Sequence, residues 1–248
     1  MCFTINVNIV REEMEQRFGA VFHEPRRYEP NYFHSAFSLP EIPVITSEDP
    51  SRIELYRWGL VPSWIRDSKA AADIRVKTMN ARAETVDVKP SFRNALRSSR
   101  CLVVSRGFYE WQSRVDGKVP YFIFLKGNRI FAFAGLYDRW TNRDTGEVED
   151  TFSIITTTAN PLMEKIHNLK KRMPVILDDH SEKRWLDPDL PLPETLELLR
   201  PLPESEMEAY TISRLITKPG VDKNTPELIR PFRYPDSPLL NTGNRAVG

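Results

Sequence analysis

Five short stretches of this sequence carry residue types that do chemistry. The first is Cys2. The small side chain at position 2 favours removal of Met1. Removal leaves a chain that begins with cysteine, with an α-amine and a thiol on adjacent carbons. Their unperturbed pKa values are about 7.7–8.0 and 8.5, so a fraction of each is nucleophilic near neutral pH. The plain alternative is a cysteine that merely follows the start. The alternation of Phe3, Ile5, Val7 and Ile9 with Thr4, Asn6 and Asn8 predicts a half-buried strand immediately after it, which would pin the terminus. Its period places Cys2 on the polar side or just beyond the strand's end.

Asn80 and Arg82 lie two residues apart and share a face if the chain is extended there. An amide both donates and accepts, and a guanidinium offers a planar fork for phosphate; the bland reading is a polar turn. In Gly107-Phe108-Tyr109-Glu110-Trp111 a carboxylate sits inside an aromatic strand. Apolar neighbours raise its pKa by desolvation, which suits proton transfer, unless Glu110 simply faces outward. His167 ends a predicted helix and precedes Lys170-Lys171-Arg172. An imidazole there suits proton transfer and the cations suit phosphates, or both belong to a solvated turn. Trp58 and Trp64 flank Gly59 and Pro62 in a predicted loop, either to stack on bases or to plug the edge of a core.

Strands are expected at 43–46, 53–58, 101–104, 108–112, 121–125, 130–134 and 151–157. Asp116-Gly117 and Gly127-Asn128 supply turns. Short helices are expected up to Phe18 (stopped by Gly19), at 92–97, at 161–166 with Asn160 as cap, from an Asp179-x-x-Glu182 capping box to Trp185, and at 194–199. Residues 24–43 read as an irregular crossing. These elements imply one α+β domain over residues 1–234, with a mainly antiparallel, barrel-like β core and several short peripheral helices. A loose tail is expected at 235–248.

The composition excludes several function classes. Of 248 residues, 40% are hydrophobic and 28% charged, enough to bury a core. The 35 basic and 34 acidic residues leave a net charge of +1, so any affinity for polyanions must come from a local patch. No glycine-rich phosphate loop occurs. Two cysteines and four scattered histidines form no zinc motif, so no metal and no cofactor are expected. No apolar run reaches the roughly 18 residues of a membrane span. With no leader evident, a cytoplasmic monomer with reduced thiols is expected.

Together these segments resemble the SOS-response-associated peptidase family of abasic-site processing proteins. The matching pieces are Met1-Cys2, R-W-G-L-V-P-S-W at 57–64, N-A-R-A-E-T at 80–85, G-F-Y-E-W at 107–111, T-T-x-A-N at 156–160, and His167 with R-M-P-V-I-L at 172–177. The resemblance implies a sensor of abasic sites in single-stranded DNA, whose N-terminal cysteine forms a thiazolidine crosslink with the open-chain sugar. It implies that Asn80 positions Cys2 and that Glu110 moves protons at the amine and assists N-terminal processing. His167 would act on the sugar oxygen, in ring opening and in crosslink reversal. Arg82, Arg172 and Thr157 would contact DNA, with Trp58 and Trp64 stacking on it.

The sequence departs from the family in three places. Cys2-Phe3-Thr4 replaces the usual Cys-Gly-Arg, residues 32–37 read Tyr-Phe-His-Ser-Ala-Phe where Asn-Ala-Pro is usual, and three extra residues separate His167 from Arg172. Two other readings stay open: an N-terminal-nucleophile amidohydrolase or peptidase using Cys2, and a non-covalent module for single-stranded nucleic acid.

Overall fold

The structure, a computed structural model, describes residues 2–235. Along the chain, β1 (Thr4–Val7), α1 (Arg11–Phe18), β2 (Val21–Phe22) and β3 (Asn31–Ser35) come first. They are followed by β4 (Glu41–Thr46), β5 (Arg52–Trp58), α2 (Ser68–Arg75), β6 (Asn80–Arg82), α3 (Arg93–Ser98) and β7 (Arg100–Ser105). Next are β8 (Gly107–Arg114), β9 (Gly117–Leu125), β10 (Phe131–Thr141) and β11 (Val148–Thr158). After them come α4 (Pro161–Ile166), β12 (Arg172–Pro174), β13 (Ile176–Leu177), α5 (Asp179–Leu186), α6 (Leu192–Glu197) and β14 (Met207–Thr211).

Five strands close on themselves in the order β5–β4–β7–β10–β11 and back to β5. The closing β11–β5 pair is parallel, with Thr151 opposite Arg57 and Phe152 opposite Trp58. The other four pairs of the ring are antiparallel. Closure pairs every edge of this core, leaving no open ladder within it. The result is an α+β domain around a closed five-stranded barrel with short helices outside.

A second, antiparallel sheet runs β14–β9–β8–β1–β3. One of its faces contributes Ile5, Phe108, Tyr121 and Ile123 to the barrel's core cluster, and the Phe108 and Phe133 rings meet edge to face at 5.9 Å. The other face carries Tyr109 and Phe122. It is covered by Ile212, Ile216 and Leu228 from the segment after β14. That segment is tied down by Phe232 N–H to the Thr211 carbonyl at 2.8 Å and by the Tyr234 hydroxyl to the Ile212 carbonyl at 2.9 Å.

This cover corrects the expectation for β1. All four of its residues are buried, Asn6 and Thr4 included. Asn6 is satisfied internally: its Nδ2 donates to the Tyr109 hydroxyl and its Oδ1 accepts from Asn8 N–H. Polar side chains on an alternating strand therefore do not imply solvent here, because a distant segment supplies the second layer. Cys2 lies just beyond the strand's end and is fully buried.

Local signals explain most of the remaining elements. Gly19, at φ 64°, ends α1. Asn160 caps α4, its Oδ1 accepting from Met163 N–H at 2.9 Å, worth about 1 kcal/mol. The cap of α5 is Asp178 rather than Asp179: the Asp178 carboxylate accepts from Ser181 N–H, while Glu182 pairs with Arg17. Residues 24–43 are more regular than expected, since β3 lies within them. The expected tail falls at 235–248, and residues 236–248 lie outside the described residues.

Candidate active site at the start of the first strand

β1 runs antiparallel to β8, with Ile5 opposite Phe108 and Asn6 opposite Gly107. Extending this register toward the chain's start brings Phe3 level with Glu110. Gly107 permits the close packing of β8 on β9, because a Cβ there would stand 2.5 Å from the Phe122 ring. Glu110 is 5% exposed, so its side chain faces inward rather than to solvent. Burial pushes its carboxyl up to about 7, with the Trp111 backbone N–H working against that rise. At neutral pH such a group both gives and takes a proton.

The Cys2 thiol feels two of these neighbours. Burial raises its pKa well above the ordinary range, and the charge of Glu110 raises it further. A hydrogen bond from the Thr4 backbone N–H opposes both. Cys2 is therefore held as a neutral thiol within electrostatic reach of the Glu110 carboxyl.

Asn80 reaches the same point from the barrel. β6 pairs in parallel with β11, with Asn80 opposite Ile154 and Arg82 opposite Thr156. The extended backbone puts Asn80 and Arg82 on one face and the buried Ala81 on the other. Asn80 Nδ2 donates to the Cys2 carbonyl at 2.9 Å. Its Oδ1 is buried and has no hydrogen-bond partner among the described residues, so an acceptor stands ready beside Cys2.

His167 caps the C-terminal end of α4. Three extra residues follow it, yet the turn is clamped. Asn168 exchanges two hydrogen bonds with the Ser113 backbone, at 3.0 and 2.8 Å, and Gln112 Nε2 donates to the Lys165 carbonyl at 2.7 Å. These bonds hold His167 against β8, in a cleft of about 670 Å³ that it lines with Phe3, Glu110 and Trp111. Its Nδ1 lies 2.9 Å from the Arg172 carbonyl. Donation to that oxygen puts the lone pair on Nε2. Burial lowers its pKa, so the neutral imidazole dominates at pH 7. His34 lies on β3 opposite Ile5 and does not line this cleft.

The structure thus brings together Cys2, Asn80, Glu110 and His167. It places the expected DNA-contacting residues differently from one another. Arg82 and Trp64 are exposed, Trp64 by 50%. Trp58 is fully buried and is corrected to a core residue. It stacks on Phe152 at 5.7 Å and its Nε1 donates to the Met79 carbonyl at 2.8 Å. Gly59, at φ 108°, lets the chain turn away after it, where a Cβ would meet Arg75 at 2.5 Å. Thr157 is buried on β11 opposite Met173. Arg172 is also buried: its Nη2 donates to the Thr156 carbonyl at 2.6 Å and its Nη1 to Glu84. Both terminal nitrogens of its guanidinium are occupied, while its buried Nε has no hydrogen-bond partner among the described residues.

Sequence reasoning missed Phe3 as a lining residue, along with Lys118 and Arg214 on the same cleft. The polar residue directly after His167, Asn168, was the available signal for the clamp. Among the described residues no group of three or more His, Cys, Asp or Glu side chains could hold a metal, and no helix is long and apolar enough to cross a membrane.

Comparison with known proteins finds similar chains. Abasic site processing protein YoqW of Bacillus subtilis (strain 168) is 45% identical over 205 residues, covering 82% of this chain and 86% of its own. Abasic site processing protein HMCES of Gallus gallus is 35% identical over 197 residues, 71% of this chain and 56% of its own. A crystal structure of a protein from Bacteroides thetaiotaomicron superposes with a TM-score of 0.88 at 38% identity, covering 94% of this chain and all of that one. The profile of the SOS response associated peptidase (SRAP) family matches residues 1–219. The chain belongs to the SRAP family.

Proposed function

We propose that this protein captures abasic sites in single-stranded DNA by forming a thiazolidine between Cys2 and the open-chain sugar, once Met1 has been removed. One observation carries the reading: Asn80 Nδ2 holds the Cys2 carbonyl at 2.9 Å, while the β1–β8 register brings the buried Glu110 carboxyl level with the next residue, Phe3. The names of the relatives, abasic site processing proteins, supply the substrate class.

The Cys2 α-amine adds to the C1′ aldehyde to give a carbinolamine. Loss of one water, its hydroxyl protonated by Glu110, gives the imine. The thiol then adds to the imine carbon, forming the C–S bond, and its proton passes through the Glu110 carboxylate to the nitrogen. The net change is aldehyde plus aminothiol to thiazolidine plus water. The second addition is intramolecular and closes a five-membered ring, so it carries a large effective molarity. Asn80 fixes the Cys2 carbonyl, and its open Oδ1 accepts from the amine or the carbinolamine hydroxyl. His167 serves the ring oxygen when the sugar opens. Arg82 holds phosphate and the exposed Trp64 stacks on a base.

Intact-mass measurement tests this. Protein lacking Met1, mixed with an abasic single-stranded oligonucleotide, should gain the oligonucleotide mass less one water without any reductant. An amide panel run in parallel addresses the hydrolase reading. Turnover of amides with no DNA adduct would overturn the proposal.

A further inference from the structure

Two clefts reach residues that adjoin the buried Cys2, which itself lines neither. One, of about 680 Å³, runs past Asn80 and Arg82 and carries Lys77 and Lys89. The other, of about 670 Å³, runs past Phe3, Glu110 and His167 and carries Lys118, Lys170 and Arg214. Because Asn80 is bonded to the Cys2 carbonyl while Phe3 lines the opposite cleft, the nucleophile sits between them.

We infer that Lys118, Lys170 and Arg214 form a second phosphate-binding arm, which grips the DNA backbone on the flank of the abasic site opposite the flank held at Arg82. This rests on the proposed function and extends it to residues that function did not use. The three cations come from three separate elements, β9, the turn after α4 and the short 3-10 turn Arg214–Thr217, which packing of the sheet brings to one cleft. The chain as a whole carries only +1, so this is a local excess. All three side chains are exposed, and Lys118 and Lys170 make no ion pair among the described residues. Asp116 offsets Arg214 only loosely, at 3.9 Å.

The arm is also built. Arg214 Nε donates to the Lys118 carbonyl at 3.2 Å, and the Asn168–Ser113 clamp holds the turn that presents Lys170. The next residue, Lys171, sits at φ 49°, a conformation costly for a lysine and stored here beside the site. Three like charges held together on a cleft wall repel one another until a polyanion is present. A nucleic-acid backbone supplies phosphates to more than one of these cations at once, and stacking against Trp111 and Phe3 fits a single strand rather than a duplex.

The test compares the double variant Lys118→Glu/Lys170→Glu with the mirror variant Lys77→Glu/Lys89→Glu. Binding is read by anisotropy in a Cys2→Ala background, which prevents the stable crosslink. Three oligonucleotides are used: abasic site central, at the 5′ end, and at the 3′ end. The first variant should lose tenfold or more in affinity, at low salt, for the central substrate and for one end-placed substrate. Its salt slope should fall by about 1.4, roughly 0.7 per lost contact on a single strand. The mirror variant should lose affinity for the other end-placed substrate. Equal losses on both ends, or none, would overturn the arm. Should wild type crosslink while the variant matches it on every oligonucleotide, the arm alone falls. Should wild type bind no oligonucleotide, the proposed function falls with it.

Discussion

Cys2 and Cys101 are both fully buried, and burial drives both thiols well above their ordinary range. Their neighbourhoods differ. Around Cys2 stand the Glu110 carboxyl, the Thr4 N–H on the sulfur and Asn80 on the carbonyl, with an open cleft alongside. Cys101 sits in the barrel wall on β7, between Thr46 of β4 and Gly135 of β10. A Cβ on Gly135 would lie 2.8 Å from its sulfur, and Trp185 Nε1 donates to its carbonyl at 3.0 Å. Desolvation is the whole cause of its shift. A buried thiol is therefore a packing element unless a base and an approach path accompany it.

The largest effects come from breaking the comparison at the sulfurs themselves. Cys2→Ala should abolish the stable crosslink, while borohydride still traps an imine at the remaining α-amine. Cys101→Ala should crosslink at the wild-type rate and lose about 1 kcal/mol of stability. Gel shift after denaturation reads the first and thermal melting the second. Crosslinking lost in Cys101→Ala and kept in Cys2→Ala would reverse the assignment.

Glu110 is the neighbour that sets the two sulfurs apart, and its removal ranks next. Glu110→Gln should slow crosslinking by roughly 10²–10⁴-fold and flatten the pH dependence centred near 7. The same residue makes an opposite prediction for stability. Its folded pKa lies above the ordinary 4.5, so between these values the folded chain keeps a proton that the unfolded chain has released. Its contribution is fully present below pH 4.5 and is lost as pH rises through about 7. Glu110→Gln should therefore match wild type near pH 4.5 and exceed it at pH 8, by on the order of 1–3 kcal/mol. A variant less stable than wild type at pH 8 would show that the carboxylate is not strained there.

His167→Ala comes third, with a roughly 10²-fold slowing of both formation and reversal, since ring opening and reclosing pass the same proton in opposite directions. Rates across pH 5–8, taken with folding checked separately, decide it. Wild-type rates in both directions would mean that the clamped turn holds the imidazole for packing alone.

What could be read from the sequence follows from how far each determinant reaches. Gly19 ends α1, Asn160 and Pro161 start α4, and Asp116-Gly117 joins β8 to β9; each is a local signal and each element is where it was expected. The alternation of Asn80 and Arg82 was likewise sufficient, because β6 needs only an extended backbone. Other features depended on distant chain. The polar face of β1 is covered by residues some 200 positions later, and no pattern near Asn6 announces it. Trp58 is sealed by Phe152 and Met79. α2 was missed because its buried face is Ala71 and Arg75, with no large apolar side chain to mark it, although Asp67 caps it through Ala70 N–H. The capping box at Asp179 slipped by one residue because Arg17, from α1, takes Glu182.

The smallest expected effect separates two arginines that sequence alone treats alike. Arg82 is exposed on β6, while Arg172 is buried with its fork filled by Glu84 and the Thr156 carbonyl. Arg82→Ala removes an exposed guanidinium that makes no ion pair among the described residues, so single-stranded DNA binding should weaken several-fold at low salt. The salt slope should fall by about 0.7, for one phosphate contact, with stability within about 0.5 kcal/mol of wild type. Arg172→Ala instead strips hydrogen bonds from a buried carbonyl and from Glu84, whose carboxyl the Arg172 hydrogen bond holds below its ordinary range against the opposing effect of burial. It should cost about 1–3 kcal/mol of stability, and the salt slope should change less than in Arg82→Ala. Melting curves and salt titrations on the two variants test both halves together. Equal slope losses would mean that DNA displaces Glu84 and takes the Arg172 fork directly, so that the ion pair of the free protein is a placeholder for phosphate.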